Sequence, residues 1–222
     1  MNTIILISEK TNLNDKAEKE AARAGLLREG LRLMGFGARA DQFTARDLVP
    51  APDGKPAFRD LPGLHFSLSH SGSLIACAFS GREIGLDLQE TTDRADPLRI
   101  ARRFYTPAEY DRLAALPEAR RTDLFYRLWT VKEAYLKYIG CGLRARLDSF
   151  DMDPVPDRAC PPLALPPAGL TVRPADSLPS FSGRILVRAE EDLLRPASYT
   201  LLSAPAGYTM AVCDRGTGTV SH

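Results

Sequence analysis

Cysteine is scarce in this chain. Four occur in 222 residues, at 77, 141, 160 and 213, and no two form a CxxC pair. That spacing gives no support to a zinc site. Cys77 and Cys213 lie inside apolar, strand-like runs and read as small buried hydrophobes. Charge of either sign is not in excess: 29 basic residues oppose 28 acidic ones, for a formal charge of +1. This excludes the broad basic surface of a general nucleic-acid binder, although a local anion site is still allowed. Long apolar runs are also missing. The opening MNTIILISEKTNLND has a short apolar stretch, no basic flank before it, and a charged segment after it. Neither a signal peptide nor a membrane span is expected. The compartment expected from the cysteine usage is the reducing cytoplasm.

What is present is an ordinary globular balance, 44% hydrophobic and 26% charged. The length suits one large domain or two smaller ones. TIILIS at 3–8 reads as a buried strand, and 14–34 as a helix. Leu26, Leu27, Leu31, Leu33 and Met34 form its apolar side, and Gly35 stops it. Residues 48–62 read as a loop with a turn in APDGKP. LHFSLSH, SLIACAFS and REIGLDLQ, ending at Gln89, follow in close order and predict an antiparallel meander. In FYTPAEYDRLAAL, Thr106 is an N-cap, Pro107 fits the first helical position, and Glu109 completes a capping box. The longest helix is predicted over 121–139, with Leu124, Leu128, Val131, Tyr135 and Tyr138 on one face. A strand near 146–152, the loop PPLALPPAGL, and the strands GRILVRA, ASYTLLS and YTMAVCD complete the pattern. Each half ends in a tight meander, which predicts an α+β fold of two related subdomains, each with an antiparallel sheet and a long helix.

Three constellations carry possible chemistry. Alternation places Asp87 and Gln89 on one face of a strand, with Leu86 and Leu88 on the other. Aspartate is disfavoured inside strands, so Asp87 is open to two readings: a metal ligand, or a residue at a strand end on the surface. His70 and Ser71 stand beside the Ser71-Gly72 turn. Two hydroxyls and a histidine there could hold a phosphate or satisfy one another. Trp129, Glu133 and Lys137 follow at i, i+4 and i+8 on one helix face. An isolated Glu–Lys pair at that spacing is commonly a surface ion pair. The sole tryptophan heading the face suggests partial cover, which makes the protonation of Glu133 and Lys137 perturbable. Lys132 adds a neighbouring charge, and Lys55 sits in a DGKP turn.

Taken in order, DGKP (53–56), FSLSHSGSLIACAFS (66–80), IGLDLQ (84–89), FYTPAE (104–109) and WTVKEAYLKYIGCGL (129–143) resemble the 4'-phosphopantetheinyl transferase superfamily, in its longer, monomeric, surfactin-type branch. The resemblance covers residues 50–150 well and is looser beyond 183. It implies two similar halves related by a pseudo-twofold axis, placed at 1–86 and 87–214 with a flexible tail at 215–222. It also implies coenzyme A as substrate in the cleft between them, and magnesium. In this resemblance Asp87 and Glu133 bind the ion, and Glu133 takes the proton from a carrier serine. Lys137 contacts the diphosphate and assists departure of the nucleotide. His70 with Ser71, Lys55 and Lys132 serve coenzyme A. The surfactin-type pattern has a glutamate where this chain has Gln89, which offers the ion only a neutral carbonyl or a held water.

The implied reaction moves the 4'-phosphopantetheine arm to a serine of an apo acyl, polyketide or peptidyl carrier protein and releases 3',5'-ADP. Competing readings are a non-catalytic coenzyme A or nucleotide binder, a metal-dependent phosphohydrolase, and an interaction protein. Arg99, Arg102 and Arg103 form either a docking face for an acidic carrier helix or a solvated helix face. Arg23, Arg28, Arg32 and Arg39 are candidates for the 3'-phosphate.

Overall fold

The computed structural model describes residues 3–9, 15–52, 54–93, 96–156, 158, 160–165, 170–187 and 194–216. The first antiparallel sheet has the order β4–β5–β1–β8 and is built from β1 (Ile4–Glu9), β4 (His65–Ser71), β5 (Leu74–Ser80) and β8 (Leu170–Pro174). The second has the order β6–β11–β10–β9–β7, from β6 (Ile84–Glu90), β7 (Phe150–Met152), β9 (Ser180–Val187), β10 (Ala197–Leu202) and β11 (Tyr208–Asp214). A long helix packs on each: α1 (Lys16–Leu33) on the first sheet and α5 (Glu118–Ile139) on the second. The short helices α2 (Gly37–Gln42), α3 (Pro97–Phe104) and α4 (Pro107–Ala114) complete the helical cover. The fold is therefore α+β with two subdomains, each carrying an antiparallel sheet and a long helix.

Period-2 alternation sorts the side chains into layers. Ile5 and Ile7 of β1 and Leu74, Ala76 and Ala78 of β5 meet Ile84, Leu86 and Leu88 of β6 and Met210 and Val212 of β11 in a core between the sheets. The opposite face of the first sheet, with Leu6, Cys77 and Phe79, takes Leu26, Leu27 and Leu31 from α1. The opposite face of the second, with Ala211 and Cys213, takes Leu128, Val131 and Tyr135 from α5. Helix α1 begins where the Asp15 carboxylate accepts from Ala17 N and Glu18 N. Leu33 lies on its outer side, 47% exposed, and not on the apolar side that spacing assigned to it.

Other departures from the sequence reading have local causes. The loop expected at 48–62 holds a short hairpin of β2 (Leu48–Pro50) and β3 (Pro56–Phe58), whose register brings Pro50 opposite Pro56. The strand expected over 146–152 begins only at Phe150, because Ser149 N is taken up by Arg146 O in a turn. Strand β8 was not foreseen; it pairs with β1 and so brings a late segment into the first sheet. Part of PPLALPPAGL, the end of GRILVRA and the tail from 217 lie outside the described residues.

The main correction concerns β6. Sequence spacing predicts that it continues the β4–β5 meander, yet it pairs with β11 in the second sheet. It still runs alongside β4, bridged by side chains in place of a backbone ladder. Ser67 Oγ accepts from Leu86 N at 2.8 Å and Ser71 Oγ accepts from Glu90 N at 2.9 Å. Ser69 Oγ lies 3.4 Å from Leu88 O. The constant offset of 19 residues means that the two edge strands run in the same direction. The hydroxyls satisfy edge N–H groups that a sheet neighbour would otherwise take.

Candidate functional site

The site forms where α5 crosses β6. Gly85 makes that crossing possible. A Cβ there would lie 2.0 Å from Ala134 O and 2.3 Å from Tyr138 N, so only glycine lets the helix backbone settle onto the strand. Asp87, two positions on, faces the same helix. It is 5% exposed, which excludes the surface strand-end reading. Lys137 Nζ donates to Asp87 Oδ1 at 2.7 Å and to Ser69 Oγ at 2.8 Å, while Ser69 Oγ donates to the same Asp87 oxygen at 2.8 Å. The ion pair of Lys137 is thus with the strand aspartate, not with Glu133 one helical turn away. Asp87 Oδ2 is buried and has no hydrogen-bond partner.

Glu133 is half-buried beside this ring. Burial pushes its carboxyl up, the nearby Asp87 charge pushes it further, and Lys137 pulls it partly back. Glu133 and Lys137 line an open cavity of about 520 Å³ with Lys55, Gly140, Cys141 and Arg144 among its other walls. Lys55 arrives from the β2–β3 hairpin turn, and its Nζ donates to Tyr138 O at 3.0 Å, near the C-terminal end of α5. Gly140 ends that helix with φ 72°, which turns the chain back along the cavity wall. Trp129 heads the face as the spacing implied, packed edge-on to Phe104 and tilted against Phe125.

The other sequence candidates fall into different places. His70 lines a second cavity, of about 250 Å³, with Lys16, Lys19, Glu20 and Arg23 of α1 and Ser69 of β4. Of the four arginines named from sequence, Arg23 is the one brought to His70. Arg28 donates to Phe43 O, Arg32 to Asp41 and Glu29, and Arg39 pairs with Asp60. Ser71 is engaged by Glu90 N in the strand seam. Gln89 turns its amide nitrogen to Glu90 O at 3.3 Å, along its own strand. Arg99, Arg102 and Arg103 are exposed on α3.

Lys132 is not brought to either cavity. It is fully buried, and Nζ donates to Leu147 O at 2.7 Å and Phe150 O at 3.2 Å and pairs with Glu109 at 3.0 Å. Two carbonyls and the Glu109 carboxylate thus enclose the ammonium group within the core. Glu109 in turn accepts from Thr106 N at 3.0 Å, so the capping box of α4 is tied to the middle of α5. Burial pushes Lys132 down and Glu109 up, and each charge opposes the shift of the other. Ser69, Lys16 and Lys19 line the second cavity and Arg144 the first, and sequence reasoning singled out none of them. The one available signal was the period-2 serine stripe at 67, 69 and 71.

A family model described as the 4'-phosphopantetheinyl transferase superfamily matches residues 83–169. Over that segment the chain is similar to this superfamily. It is similar to the 4'-phosphopantetheinyl transferase Sfp of Bacillus subtilis (strain 168), 44% identical over 99 residues, which is 45% of this chain and 43% of that protein. It is also similar to the 4'-phosphopantetheinyl transferase HetI of Nostoc sp., 40% identical over 129 residues (56% of this chain and 51% of that protein). The 4'-phosphopantetheinyl transferase AcpT of Escherichia coli O157:H7 is 34% identical over 95 residues, 42% of this chain and 49% of that protein. The match thus spans about half the length of these relatives or less. The superfamily segment contains Asp87, Gln89, Lys132, Glu133 and Lys137, while Lys55, Ser69, His70 and Ser71 lie before it.

Two carboxylates near enough for one to raise the other, with one oxygen buried and without a partner, suit a hard divalent cation with oxygen ligands. No group of three or more His, Cys, Asp or Glu occurs among the described residues at metal-holding distance. The protein therefore offers two carboxylates, and magnesium commonly completes its shell with water and phosphate oxygens. The residues fit that ion. No helix among the described residues is long and apolar enough to cross a membrane.

Proposed function

We propose that this chain transfers the 4'-phosphopantetheine arm of coenzyme A to a serine hydroxyl of an apo acyl, polyketide or peptidyl carrier protein and releases 3',5'-ADP. It would do so as a cytoplasmic, surfactin-type monomer whose halves are 1–86 and 87–214. The observation that carries this reading is Lys137, which holds the buried Asp87 at the α5–β6 crossing and lines an open cavity with Glu133, Lys55 and Arg144. A diphosphate needs such cations, because its negative charge repels an incoming oxygen and grows on the leaving one.

In this reading the diphosphate lies in the larger cavity. Asp87 and Glu133 would hold magnesium, which supplies charge neutralisation at the phosphoryl oxygens when bound. Glu133 takes the proton of the carrier serine as its Oγ attacks the phosphorus next to the pantetheine arm. The new Oγ–P bond replaces the P–O bond to the nucleotide. Lys137 assists the departing phosphate oxygen, and Lys55 supports the same anion from the hairpin. The basic cavity of His70, Lys16, Lys19 and Arg23 suits the 3'-phosphate, since it is a second cluster of cations on the neighbouring sheet. The exposed Arg99, Arg102 and Arg103 suit an acidic carrier helix.

Intact mass measurement on a panel of purified apo-carriers, with coenzyme A and with or without magnesium, tests the reading. A magnesium-dependent gain of the arm's mass on the carrier serine is expected. Coenzyme A binding without any mass gain on every carrier would favour a non-catalytic binder. Phosphate release without a carrier would favour a hydrolase.

A further inference from the structure

We propose that Ser69 is a positioning residue that fixes the Asp87 carboxylate for a divalent cation. The proposal deepens the transferase reading and rests on it, because it takes Asp87 and Glu133 as the ion's ligands. Its basis is a difference among three serines on one strand. Ser67 and Ser71 accept backbone N–H groups from Leu86 and Glu90 and serve the seam between the sheets. Ser69, on the same face, departs from this pattern and reaches a side chain. It donates to Asp87 Oδ1 at 2.8 Å and accepts from Lys137 Nζ at 2.8 Å.

These bonds close a ring. Lys137 Nζ also donates to Asp87 Oδ1, at 2.7 Å, so one carboxylate oxygen receives two donors. The other, Oδ2, is buried with no hydrogen-bond partner. A carboxylate rotates about its last side-chain bond unless something breaks the equivalence of its oxygens. Here the serine proton does so. It commits Oδ1 to the protein and leaves Oδ2 for a ligand. The contact to Leu88 O is longer, at 3.4 Å, so the single hydroxyl proton is assigned to Asp87. Without Ser69, Lys137 would be the remaining anchor, and an ammonium can bridge both oxygens and compete with a bound cation. A hydrogen bond that orients a metal ligand from behind in this way is commonly as consequential as the ligand's own surroundings.

The test uses the full chain and Mn²⁺ alone, titrated without coenzyme A and read by electron paramagnetic resonance of the free ion. Ser69→Ala is expected to weaken Mn²⁺ binding by about 10–100-fold, and Ser69→Thr, which keeps the hydroxyl, to restore it to within about threefold. Ser67→Ala, which loses only a seam contact, is expected to bind Mn²⁺ like the unaltered chain. If Ser69→Ala does not fold, Ser69→Cys is read in its place, its weak thiol donor giving the same direction of change. Unchanged binding in the Ser69 variant, or an equal loss in Ser67→Ala, overturns the positioning role and leaves the transferase reading standing. Binding that is the same in the unaltered chain, Asp87→Asn and Glu133→Gln overturns the carboxylate site itself and the proposal with it.

Discussion

Lys132 and Lys137 belong to the same helix and the same sequence motif, yet they sit in opposite environments. Lys132 points into the subdomain core, where two backbone carbonyls and Glu109 surround it. Lys137 points into the cleft, where it holds Asp87 and Ser69 and keeps 30% of its side chain exposed. The difference lies in what the helix meets on each side. On one side the turn after α5 and the start of β7 supply fixed carbonyl acceptors, which an ammonium can saturate without any carboxylate rearrangement. On the other side lies a strand edge with a carboxylate only partly satisfied. The first lysine is a fastener between α4, α5 and β7. The second lines an open cavity. Glu109 and Glu133 repeat the contrast: one is tied by a capping box and a buried ammonium, and the other faces a cavity.

The largest effects should separate these two sides cleanly. Glu133→Gln is expected to lower transfer to a carrier by roughly 10²–10⁴, the range of a lost general base. Its unfolding free energy should stay within about 1 kcal/mol of the unaltered chain, as expected for a partly exposed carboxylate. Lys132→Met is expected to do the reverse. It strands a buried carboxylate and two carbonyls, and removal of one partner of a buried ion pair costs about 3–5 kcal/mol. Chemical denaturation of both variants beside the mass assay checks the contrast. Equal stability losses in the two would break it.

A smaller effect probes the surface on which the two sides meet. Gly85→Ala places a Cβ against the backbone of α5 at Ala134 and Tyr138. Backbone cannot yield as a flexible side chain can, so the helix must shift. Overpacking of this kind costs about 1–3 kcal/mol. Because α5 carries Lys137 and β6 carries Asp87, the shift should also weaken Mn²⁺ binding. A variant that is destabilised but binds Mn²⁺ unaltered would show that the crossing does not set the site geometry.

Much of this arrangement was legible in the sequence. The long helix, its buried stripe and the Thr106–Glu109 capping box are local patterns, and local patterns survive folding. Asp87 and Glu133 could be named from their motifs. Their neighbours could not, because those are set by long-range pairing. Chain proximity suggests that β6 pairs with β5, while the register with β11 depends on a strand that begins more than a hundred residues later. Ser69 carries no local signal beyond a stripe of serines, because its partner Asp87 is set by the seam between β4 and β6. Lys132 misled for the opposite reason: its motif suggested a ligand contact, whereas its rotation on the helix points it at Leu147 and Phe150.

The finest test lies in the titration of Glu133 itself. Its carboxyl is raised by burial and by Asp87 and lowered by Lys137. In the metal-free chain its titration midpoint should therefore lie above the ordinary glutamate value of about 4.3. The two charged neighbours act with opposite signs and can be removed one at a time. Asp87→Asn takes away a negative charge that favours the protonated form, so the midpoint should fall. Lys137→Met takes away a positive charge that favours the ionised form, so the midpoint should rise. Carboxyl ¹³C resonances of the metal-free chain report both without any demand on catalysis. Lys132→Met provides the comparison from the closed side of the helix. Its charge is absent from the groups that shift Glu133, so a folded preparation should leave the midpoint in place. Movement of the Glu133 midpoint in the Lys132 variant as large as in the Lys137 variant would mean that the core and the cleft share one electrostatic environment, and the division between fastener and site would fail.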